Sequence, residues 1–217
     1  MPLSTYALVS LAELKAHVGA GGSAKDADLE EVINRVSAEI EAHMGRQIVT
    51  RGNLTEYHTM RADGTAVEAS ELRTLDWPII AVTSVHEDTA TPRTYGAGAL
   101  LVDGTGYEAV KPKGIIRRIV GAGVPGVWHT GHRAIKVVYS AGYATTAAVP
   151  AELKAVALRY AALVWGETKR GDFGMSGVSD ALGNYTRFAP AQLTPEMKAA
   201  LPPERRLSFW ESGERDA

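Results

Sequence analysis

Three glycines near the middle of the chain have the spacing used by phosphate-binding turns. The stretch IVGAGVPG, residues 119–126, reads G-x-G-x-x-G and follows the apolar run GIIRRIV. In a dinucleotide-binding fold these glycines lead from a strand into a helix whose N-terminus faces the pyrophosphate. Here the next residues, VWHTGHRAIKVVYS, have strand character, and no acidic residue for a ribose occurs before Glu152. The sequence therefore predicts a glycine-rich β-hairpin and no nucleotide site.

The other residues that could carry chemistry do not form a recognisable site. His129 and His132 form H-x-x-H, but no carboxylate lies near them in the sequence to complete a ligand set, so they are interpreted as surface histidines. The triplet Asp172-Phe173-Gly174 lacks the lysine strand and glycine loop of a kinase. The chain has no cysteine, which excludes thiolate ligands and cysteine nucleophiles. We expect no catalysis, no cofactor and no bound metal ion.

One charge pattern is more informative. No Asp or Glu occurs from Ala109 to Ala151. The same span holds six basic residues, named here the basic segment: Lys111, Lys113, Arg117, Arg118, Arg133 and Lys136. A solvated strand face that is basic by chance would explain them. The functional alternative is a surface that meets phosphates or an acidic protein, reinforced when several copies surround a channel.

Composition limits the class of protein. The chain has 217 residues and a net charge of −2, which allows a sizeable core and predicts no bulk attraction to nucleic acid. No apolar run reaches the roughly 18 residues of a membrane span. The N-terminus MPLSTYALVSLAELK lacks the basic region and cleavage site of a secretion signal. With no cysteine present, we expect a protein made in a reducing cytoplasm.

The elements that would position these residues begin with two helices. Ser10 and Glu13 have the spacing of a capping box, and Gly19 is a helix stop. A longer helix follows and ends at Gly45. Its apolar stripe consists of Leu29, Val32, Ile33, Val36, Ile40 and Met44.

From about residue 50 to 143 the pattern changes to an antiparallel β region of about five or six short strands. Asp103-Gly104 predicts a hairpin with a type I′ turn, which needs positive φ at both central residues. Helix resumes after Pro150, because proline is tolerated in the first helical turn. The predicted stripe of that helix is Leu153, Val156, Ala157, Tyr160, Leu163 and Val164, with Trp165 beside it.

The last fifty residues have weaker patterns. Gly166 to Arg187 is rich in glycine and predicts a mobile loop. Thr194-Pro195 then opens a short helix, which Pro202-Pro203 ends. The polar ending carries two aromatic residues, Phe209 and Trp210, which indicate docking onto a partner.

Taken in order, these pieces resemble a known family. The opening SLAELKAHVGAGGSAKDADLEEVINRVSAEIEAHMGRQI is similar to the first two helices of the head–tail connector, or adaptor, proteins of tailed double-stranded DNA phages and of gene transfer agents. LDWPIIAVTSVHED, IKVVYSAGY and VPAELKAVALRYAALVWGETKRG resemble its longer members, which carry a β insertion before a third helix. LTPEMKAALPPERR resembles their closing helix. The chain departs from the family at residues 166–187 and in the ending LSFWESGERDA.

The resemblance implies a structural role. Such adaptors form a ring of about twelve copies beneath the portal, where a heterologous contact between subunits closes on itself. They extend the DNA channel, let DNA pass without sequence specificity, and present a surface to the next neck or tail protein. We expect a virion location after synthesis in the bacterial host cytoplasm, with no membrane contact. The portal-docking tail would include Leu201, Arg205, Arg206, Leu207, Phe209 and Trp210, and the basic segment would face the channel or an acidic partner.

We therefore predict an α+β fold in which a helical bundle core from both chain ends holds an inserted antiparallel β region. The predicted divisions are 1–48 for the first core helices, 49–146 for the β region, 147–170 for the third core helix, and 171–217 for the loop, short helix and extended docking tail. The predicted function is a head–tail adaptor. A nucleic-acid-binding module that uses the basic residues within 109–151 is the alternative.

Overall fold

The structure, a computed structural model, describes residues 2–60, 70–121, 123–170, 178–180, 183–185, 192–201 and 211–215. The chain forms two compact units. Unit 1 comprises Met1–Gly45 and Thr145–Glu204, and unit 2 comprises Arg46–Ala144 and Arg205–Ala217. Helices and antiparallel sheets are both present, so the predicted α+β class is confirmed.

Unit 1 contains four helices: α1 (Leu11–Val18), α2 (Asp26–Met44), α3 (Ala151–Arg170) and α4 (Pro195–Ala200). The capping box of α1 is confirmed, since the Glu13 N–H donates to Ser10 Oγ at 3.2 Å and the Ser10 N–H donates to Glu13 Oε2 at 2.7 Å. Gly19 and Gly45 end α1 and α2 in the left-handed conformation, at φ 65° and 63°. Helix α4 begins after Thr194, whose hydroxyl accepts from the Met197 N–H.

The interior of unit 1 is apolar. All six residues of the predicted α2 stripe are buried, and so are five of the six in the α3 stripe. The exception is Leu163, which is 45% exposed, so its prediction as a core residue is wrong. Trp165, predicted only to lie beside the stripe, is 4% exposed and replaces it in the interior. Helix α3 contacts α1, α2 and α4, and is therefore central to this unit.

Unit 2 is built from strands β1 (Asn53–Met60), β2 (Glu71–Arg73), β3 (Ile79–Glu87), β4 (Leu100–Leu101), β5 (Tyr107–Val110), β6 (Ile115–Val120), β7 (Val124–Pro125), β8 (Gly131–Ala141) and β11 (Glu211–Arg215). One antiparallel sheet has the order β11-β1-β8-β3-β4, and a second has the order β2-β6-β5 with β7 also paired to β6. Strand β8 is the longest and lies between β1 and β3. Its buried side chains meet Trp128, Leu72 and Ile116 in one apolar cluster.

The glycine motif forms the hairpin that the sequence predicts. Val120 of β6 pairs with Val124 of β7, and Gly121 and Gly123 between them have φ of 66° and 79°. Glycine adopts positive φ without the steric cost that a side chain brings. The turn therefore joins two strands, and no helix N-terminus follows it for a phosphate to meet.

The hairpin predicted at Asp103-Gly104 is wrong. Its flanking strands pair with different partners, β4 with β3 and β5 with β6. Gly104 has φ 78°, whereas Asp103 is not among the described residues with positive φ, so the turn is not type I′. The dipeptide marks a change of sheet rather than a hairpin. The described part of residues 50–143 also holds eight strands, more than predicted, because the short strands β2, β4 and β7 have no periodicity to detect.

The predicted loop at Gly166–Arg187 is wrong in part. Helix α3 continues to Arg170, and the hairpin β9 (Val178–Asp180) and β10 (Gly183–Tyr185) follows. The rest of that span lies outside the described residues, as does the predicted stop at Pro202-Pro203. Across the portion of the chain that is described, no helix has both the length and the apolar character needed to cross a membrane.

Candidate functional site

The basic segment is distributed over three places in unit 2. Lys111 and Lys113 lie on a 3-10 turn between β5 and β6, and both are exposed. Gly114 closes the turn with φ 57°, and its N–H donates to the Lys111 carbonyl at 3.1 Å. Both lysine side chains of this turn are therefore at the surface of unit 2.

Arg117 and Arg118 are adjacent on β6, so their side chains point to opposite faces of the sheet. Arg117 Nε donates to Glu71 Oε1 at 2.9 Å, and this pair is partly exposed. Arg118 Nε donates to Glu87 Oε2 at 2.9 Å, where both side chains are largely buried. Both guanidinium groups therefore have a carboxylate partner within unit 2.

Arg133 and Lys136 lie against aromatic rings. Arg133 Cζ is 3.8 Å from the centroid of the Tyr57 ring. Lys136 Nζ is 5.9 Å from that centroid and 5.6 Å from the centroid of Tyr95. Cations at these distances from a ring face are attracted by its quadrupole. Burial raises the pKa of the Tyr95 hydroxyl, and the Arg133 charge opposes the shift.

Strand register explains why these groups meet. Lys136 of β8 lies opposite Tyr57 of β1 and opposite His86 of β3. Directly opposed residues of antiparallel strands share one face of the sheet. Burial and the neighbouring Lys136 charge together hold the pKa of His86 below its usual value, while Asp88 acts in the opposite direction. A neutral imidazole is thereby favoured next to the ammonium group.

The count of charged residues along the sequence does not reveal the carboxylate partners of Arg117 and Arg118. The acid-free span is real along the chain, but Glu71 and Glu87 come from β2 and β3, outside that span. Pairing of β2 with β6 places Glu71 opposite Arg117, whereas Glu87 reaches Arg118 from β3 of the other sheet, and neither contact is visible in the order of residues along the chain. That the six basic residues face a channel or an acidic partner stays a prediction.

Unit 2 also contains a buried polar cluster that the sequence analysis did not identify. Glu56 is fully buried, and Tyr139 donates its hydroxyl hydrogen to Glu56 Oε1. The Leu75 N–H donates to Glu56 Oε2 at 3.1 Å, and His58 Nε2 lies 3.2 Å from the same oxygen. Burial, followed by the Glu56 charge, raises the pKa of Tyr139 well above its usual range. The carboxylate is therefore held by donors from several elements.

The cluster continues through Asp76, which is also fully buried. The Asp76 N–H donates to the Tyr139 hydroxyl at 3.1 Å, and Asp76 Oδ1 accepts from the Gln47 N–H at 2.9 Å. Arg46 Cζ lies 4.1 Å from the centroid of Trp77. Buried polar groups are costly unless they are hydrogen-bonded, and the carboxylates of Glu56 and Asp76 each accept at least one such bond. We interpret the cluster as a clamp that fixes the loop after β2 to β1 and β8.

A sequence signal for this cluster existed. In NLTEYHTM, Glu56, His58 and Met60 occupy alternate positions, and all three are buried. Alternation predicts that they share a face, but the hydrophobic pattern assigns charged residues to the solvent side. The partner Tyr139 is 83 residues away, so no local pattern could show that the charges are satisfied.

Asp88, an acidic residue outside this cluster, organises the loop after β3. Asp88 accepts three backbone N–H bonds, from Ala90 at 2.8 Å, Thr94 at 2.8 Å and Tyr95 at 2.7 Å. These bonds lower the pKa of Asp88 to about 2, and the nearby Arg93 acts in the same direction. The loop holds Tyr95 against Tyr57, with ring centroids 5.4 Å apart.

Neither histidine of the H-x-x-H motif has the surroundings of a metal ligand. His129 and His132 are both exposed. The backbone N–H of His129 donates to Glu87 Oε1, and the ring of His132 contacts the Thr59 hydroxyl. Across the described residues, His, Asp and Glu form no group of three that could hold a metal ion. Asp172-Phe173-Gly174 lies outside these residues.

Of the six predicted docking residues, the structure describes Leu201, and further along the chain it describes strand β11. Leu201 is 4% exposed, so its side chain lies within unit 1, and its role in docking stays a prediction. Arg205, Arg206, Leu207, Phe209 and Trp210 lie outside the described residues. Strand β11 then pairs along β1 from Glu56↔Arg215 to Met60↔Glu211. No sequence pattern predicts this strand, because a polar segment without alternation does not indicate pairing.

Comparison with known proteins identifies the fold. No family model matches the sequence, and no curated protein matches it. The structure is similar to a chain in the neck of an empty gene transfer agent (GTA) particle computed with C6 symmetry, with TM-score 0.51, 18% identity, and coverage of 97% of this chain and 98% of that chain. A chain in the neck of a native GTA particle computed with C12 symmetry gives TM-score 0.51, 15% identity and the same coverage.

A third similar chain belongs to the virion of a native GTA particle, with TM-score 0.50 and 19% identity over 84% of this chain and 88% of that chain. At these identities the likeness concerns the fold. This chain therefore shares, over nearly its whole length, the fold of chains found in GTA particles and their necks.

Proposed function

We propose that this protein is a structural subunit of the neck that joins head and tail in a phage-like particle. The observation that carries the proposal is the fold shared with two neck chains over 97% of this chain and 98% of each of them. Similarity over whole chains supports a similar place in an assembly better than similarity of one motif would. The arrangement also fits an α+β subunit in which helices from both chain ends form the core and the β region is an insertion.

Within the neck, we assign the protein the role of head–tail adaptor. It forms a ring of about twelve copies between the portal and the next neck or tail protein, and a heterologous interface closes that ring. The C6 and C12 symmetries of the similar necks support a ring. The lumen extends the DNA channel, and DNA passes through it without sequence specificity. The tail beyond Leu201 binds the portal, using Phe209 and Trp210.

The role requires shape and self-association rather than catalysis. The buried acids Glu56 and Asp76 accept hydrogen bonds from within unit 2, as structural groups do. The exposed cations at Lys111 and Lys113 supply charge that repeats around a ring, where the fields of several copies add.

Imaging of particles produced with and without this chain tests the proposal. With the chain present, we expect it at the vertex where head meets tail; without it, we expect DNA-filled heads that carry no tails. Tailed particles assembled in its absence would contradict the proposal. For the portal contact, the variant Phe209→Ala/Trp210→Ala, which keeps strand β11 paired with β1, should remain folded and lose portal binding, and retained binding would assign the contact elsewhere.

A nucleic-acid-binding module remains the second candidate, because Lys111 and Lys113 are both exposed on one turn. Filter binding at two salt concentrations separates the candidates. True phosphate contacts make the logarithm of affinity fall steeply with the logarithm of salt. Lys111→Ala/Lys113→Ala should reduce that slope by about two, one per phosphate contact. Lys25→Ala in unit 1 is the matched control. Equal slopes in all three proteins would exclude this alternative.

A further inference from the structure

Exposed apolar side chains are concentrated in one part of unit 2. Eight large hydrophobic residues are exposed in the described chain, and five of them fall between residues 100 and 127. These five, named here the apolar patch, are Leu100, Val102, Val120, Val124 and Val127. Their exposed fractions range from 47% to 64%. The patch includes the glycine-rich hairpin, for which the proposed function gives no role.

Two neighbouring turns build the patch. Val120 and Val124 are paired directly across the hairpin of β6 and β7. The Gly121 N–H donates to the Thr105 carbonyl at 3.1 Å, which holds the hairpin beside the turn that follows Val102. Backbone hydrogen bonds therefore position these valines, and none of their side chains is needed to close either turn.

The outward direction of Val120 follows from strand alternation. Its neighbour Ile119 is 7% exposed and points into unit 2, so Val120 must point away from it. The patch exposes on the order of 400 Å² of apolar surface, the size of the largest such patch on a typical monomer, and such patches mark interaction sites. That is about half of the roughly 800 Å² that each partner contributes to a standard interface.

We propose that the apolar patch docks onto the outer face of helix α3, around Leu163, in a second copy of this chain. The inference rests on the ring of the proposed function and names the surfaces that form it. A patch that met itself would give a closed two-fold dimer, whereas a ring needs two different surfaces on each copy. The receiving surface must therefore lie outside residues 100–127.

The receiving surface is chosen from the exposed apolar residues outside the patch. Outside the patch, the exposed large hydrophobic residues of the described chain are Tyr6, Ile80 and Leu163, at 38%, 38% and 45%. Leu163 lies on α3, where Arg159 and Ala155 are also exposed at four and eight residues before it. This spacing places all three on one helix face. Leu163 has the largest exposed fraction of the three apolar residues outside the patch, and its contact with the valine pair removes apolar surface of both sides from water.

A polar double substitution tests the patch. Val120→Ser/Val124→Ser should weaken self-association about 100-fold, about tenfold for each valine that loses its apolar burial. Ile80→Ser makes a similar change at an exposed strand position outside both surfaces and should associate like wild type. Sedimentation equilibrium over a concentration series measures the mass, and circular dichroism checks that each variant is folded. Unchanged association of the double variant overturns the inference.

The absence of cysteine in the chain allows a direct test of which surfaces meet. Val124→Cys and Leu163→Cys proteins, mixed under oxidising conditions, should form a disulfide-linked heterodimer, and the double variant Val124→Cys/Leu163→Cys should form a ladder of oligomers. Cross-linking of Val124→Cys with itself, or equally with Ile80→Cys, overturns the proposed pairing. Wild type that stays monomeric at every concentration contradicts the ring itself, whereas a wild-type ring without the 124–163 cross-link contradicts only these surfaces.

Discussion

The two units of this chain are stabilised in different ways. Unit 1 buries apolar helix stripes, and among its described residues the buried polar side chains are Ser37 and Glu41. Its 2.8 Å pair between Lys154 Nζ and Glu13 Oε1 is partly exposed. Unit 2 buries an apolar cluster as well, but it also encloses Glu56, His58 and Asp76. A hydrophobic interior tolerates small geometric errors, whereas a buried carboxylate needs every donor in place. We therefore expect unit 2 to be the more sensitive of the two to single polar substitutions.

The largest expected effect is the loss of the Glu56 carboxylate. Glu56→Ala leaves the Tyr139 hydroxyl and the Leu75 N–H without this acceptor and opens space beside His58. We expect a loss of about 4 kcal/mol in the free energy of unfolding, as for other broken buried polar pairs. Urea denaturation gives the value, and hydrogen exchange should show lost protection in β1 and β8.

The control for Glu56→Ala is Glu108→Gln, which removes one charge at an exposed position of β5. Its effect should stay within about 0.5 kcal/mol, because surface substitutions away from special features are close to neutral. Equal losses for the two variants would show that the buried cluster does not distinguish unit 2.

One chemical change made in both units sharpens the comparison. Tyr139→Phe and Tyr160→Phe each remove a hydroxyl that donates to a glutamate, Glu56 in unit 2 and Glu39 in unit 1. The Glu56 side chain is fully buried, whereas the Glu39 side chain is 44% exposed. We expect a loss of about 2 kcal/mol for Tyr139→Phe and less than about 1 kcal/mol for Tyr160→Phe, because water replaces the lost donor only at Glu39. Urea denaturation of both variants measures the difference, and a larger loss for Tyr160→Phe would reverse the proposed contrast.

Loss of the helix cap of α1 in unit 1 should have a smaller effect on stability. Ser10→Ala removes the hydroxyl that accepts the Glu13 N–H and should lower the free energy of unfolding by about 1 kcal/mol, the usual cost of a lost helix cap. Thermal denaturation measures it, with Ser10→Thr as the matched variant, which keeps a hydroxyl that accepts from the Glu13 N–H and donates to Glu13 Oε2. A similar loss in Ser10→Thr would show that the cap does not account for the effect.

The same contrast explains which features the sequence could predict. In unit 1, the sequence predicts the capping box of Ser10 with Glu13 and the glycines that end α1 and α2, and these local signals are confirmed. Leu163 was misassigned because an apolar residue one step along the helical stripe cannot be distinguished from a buried one by spacing alone. The same exposed residue then becomes the proposed receiving surface.

In unit 2, the strands with clear alternation were predicted, but their partners were not. Asp103-Gly104 was read as a hairpin although β4 and β5 belong to different sheets. Glu71, Glu87 and Glu56 each find partners tens of residues away. Strand order decides which charges meet, and strand order depends on long-range packing that one sequence does not display. The sequence therefore shows which basic residues the segment contains, but not that Arg117 and Arg118 have carboxylate partners.

The smallest expected effect is a change in how the stability of unit 2 depends on pH. Asp88 has its pKa lowered to about 2 in the folded chain, from an ordinary value of 3.8, by three backbone N–H bonds. Its contribution to stability is therefore present above about pH 4 and is lost as the pH falls through 2. Asp88→Asn should be less stable than wild type at pH 7, and the difference should shrink progressively between pH 4 and pH 2.

Urea denaturation at a series of pH values measures this difference, with Asp103→Asn as the control at an exposed turn. Asparagine cannot reproduce both carboxylate oxygens, one of which accepts from Ala90 and the other from Thr94 and Tyr95. Because the loop positions Tyr95 near Lys136, the variant should also raise the exchange rate of amides at residues 90–95. A stability difference that stays constant down to pH 2 would mean that the Asp88 charge does not hold this loop.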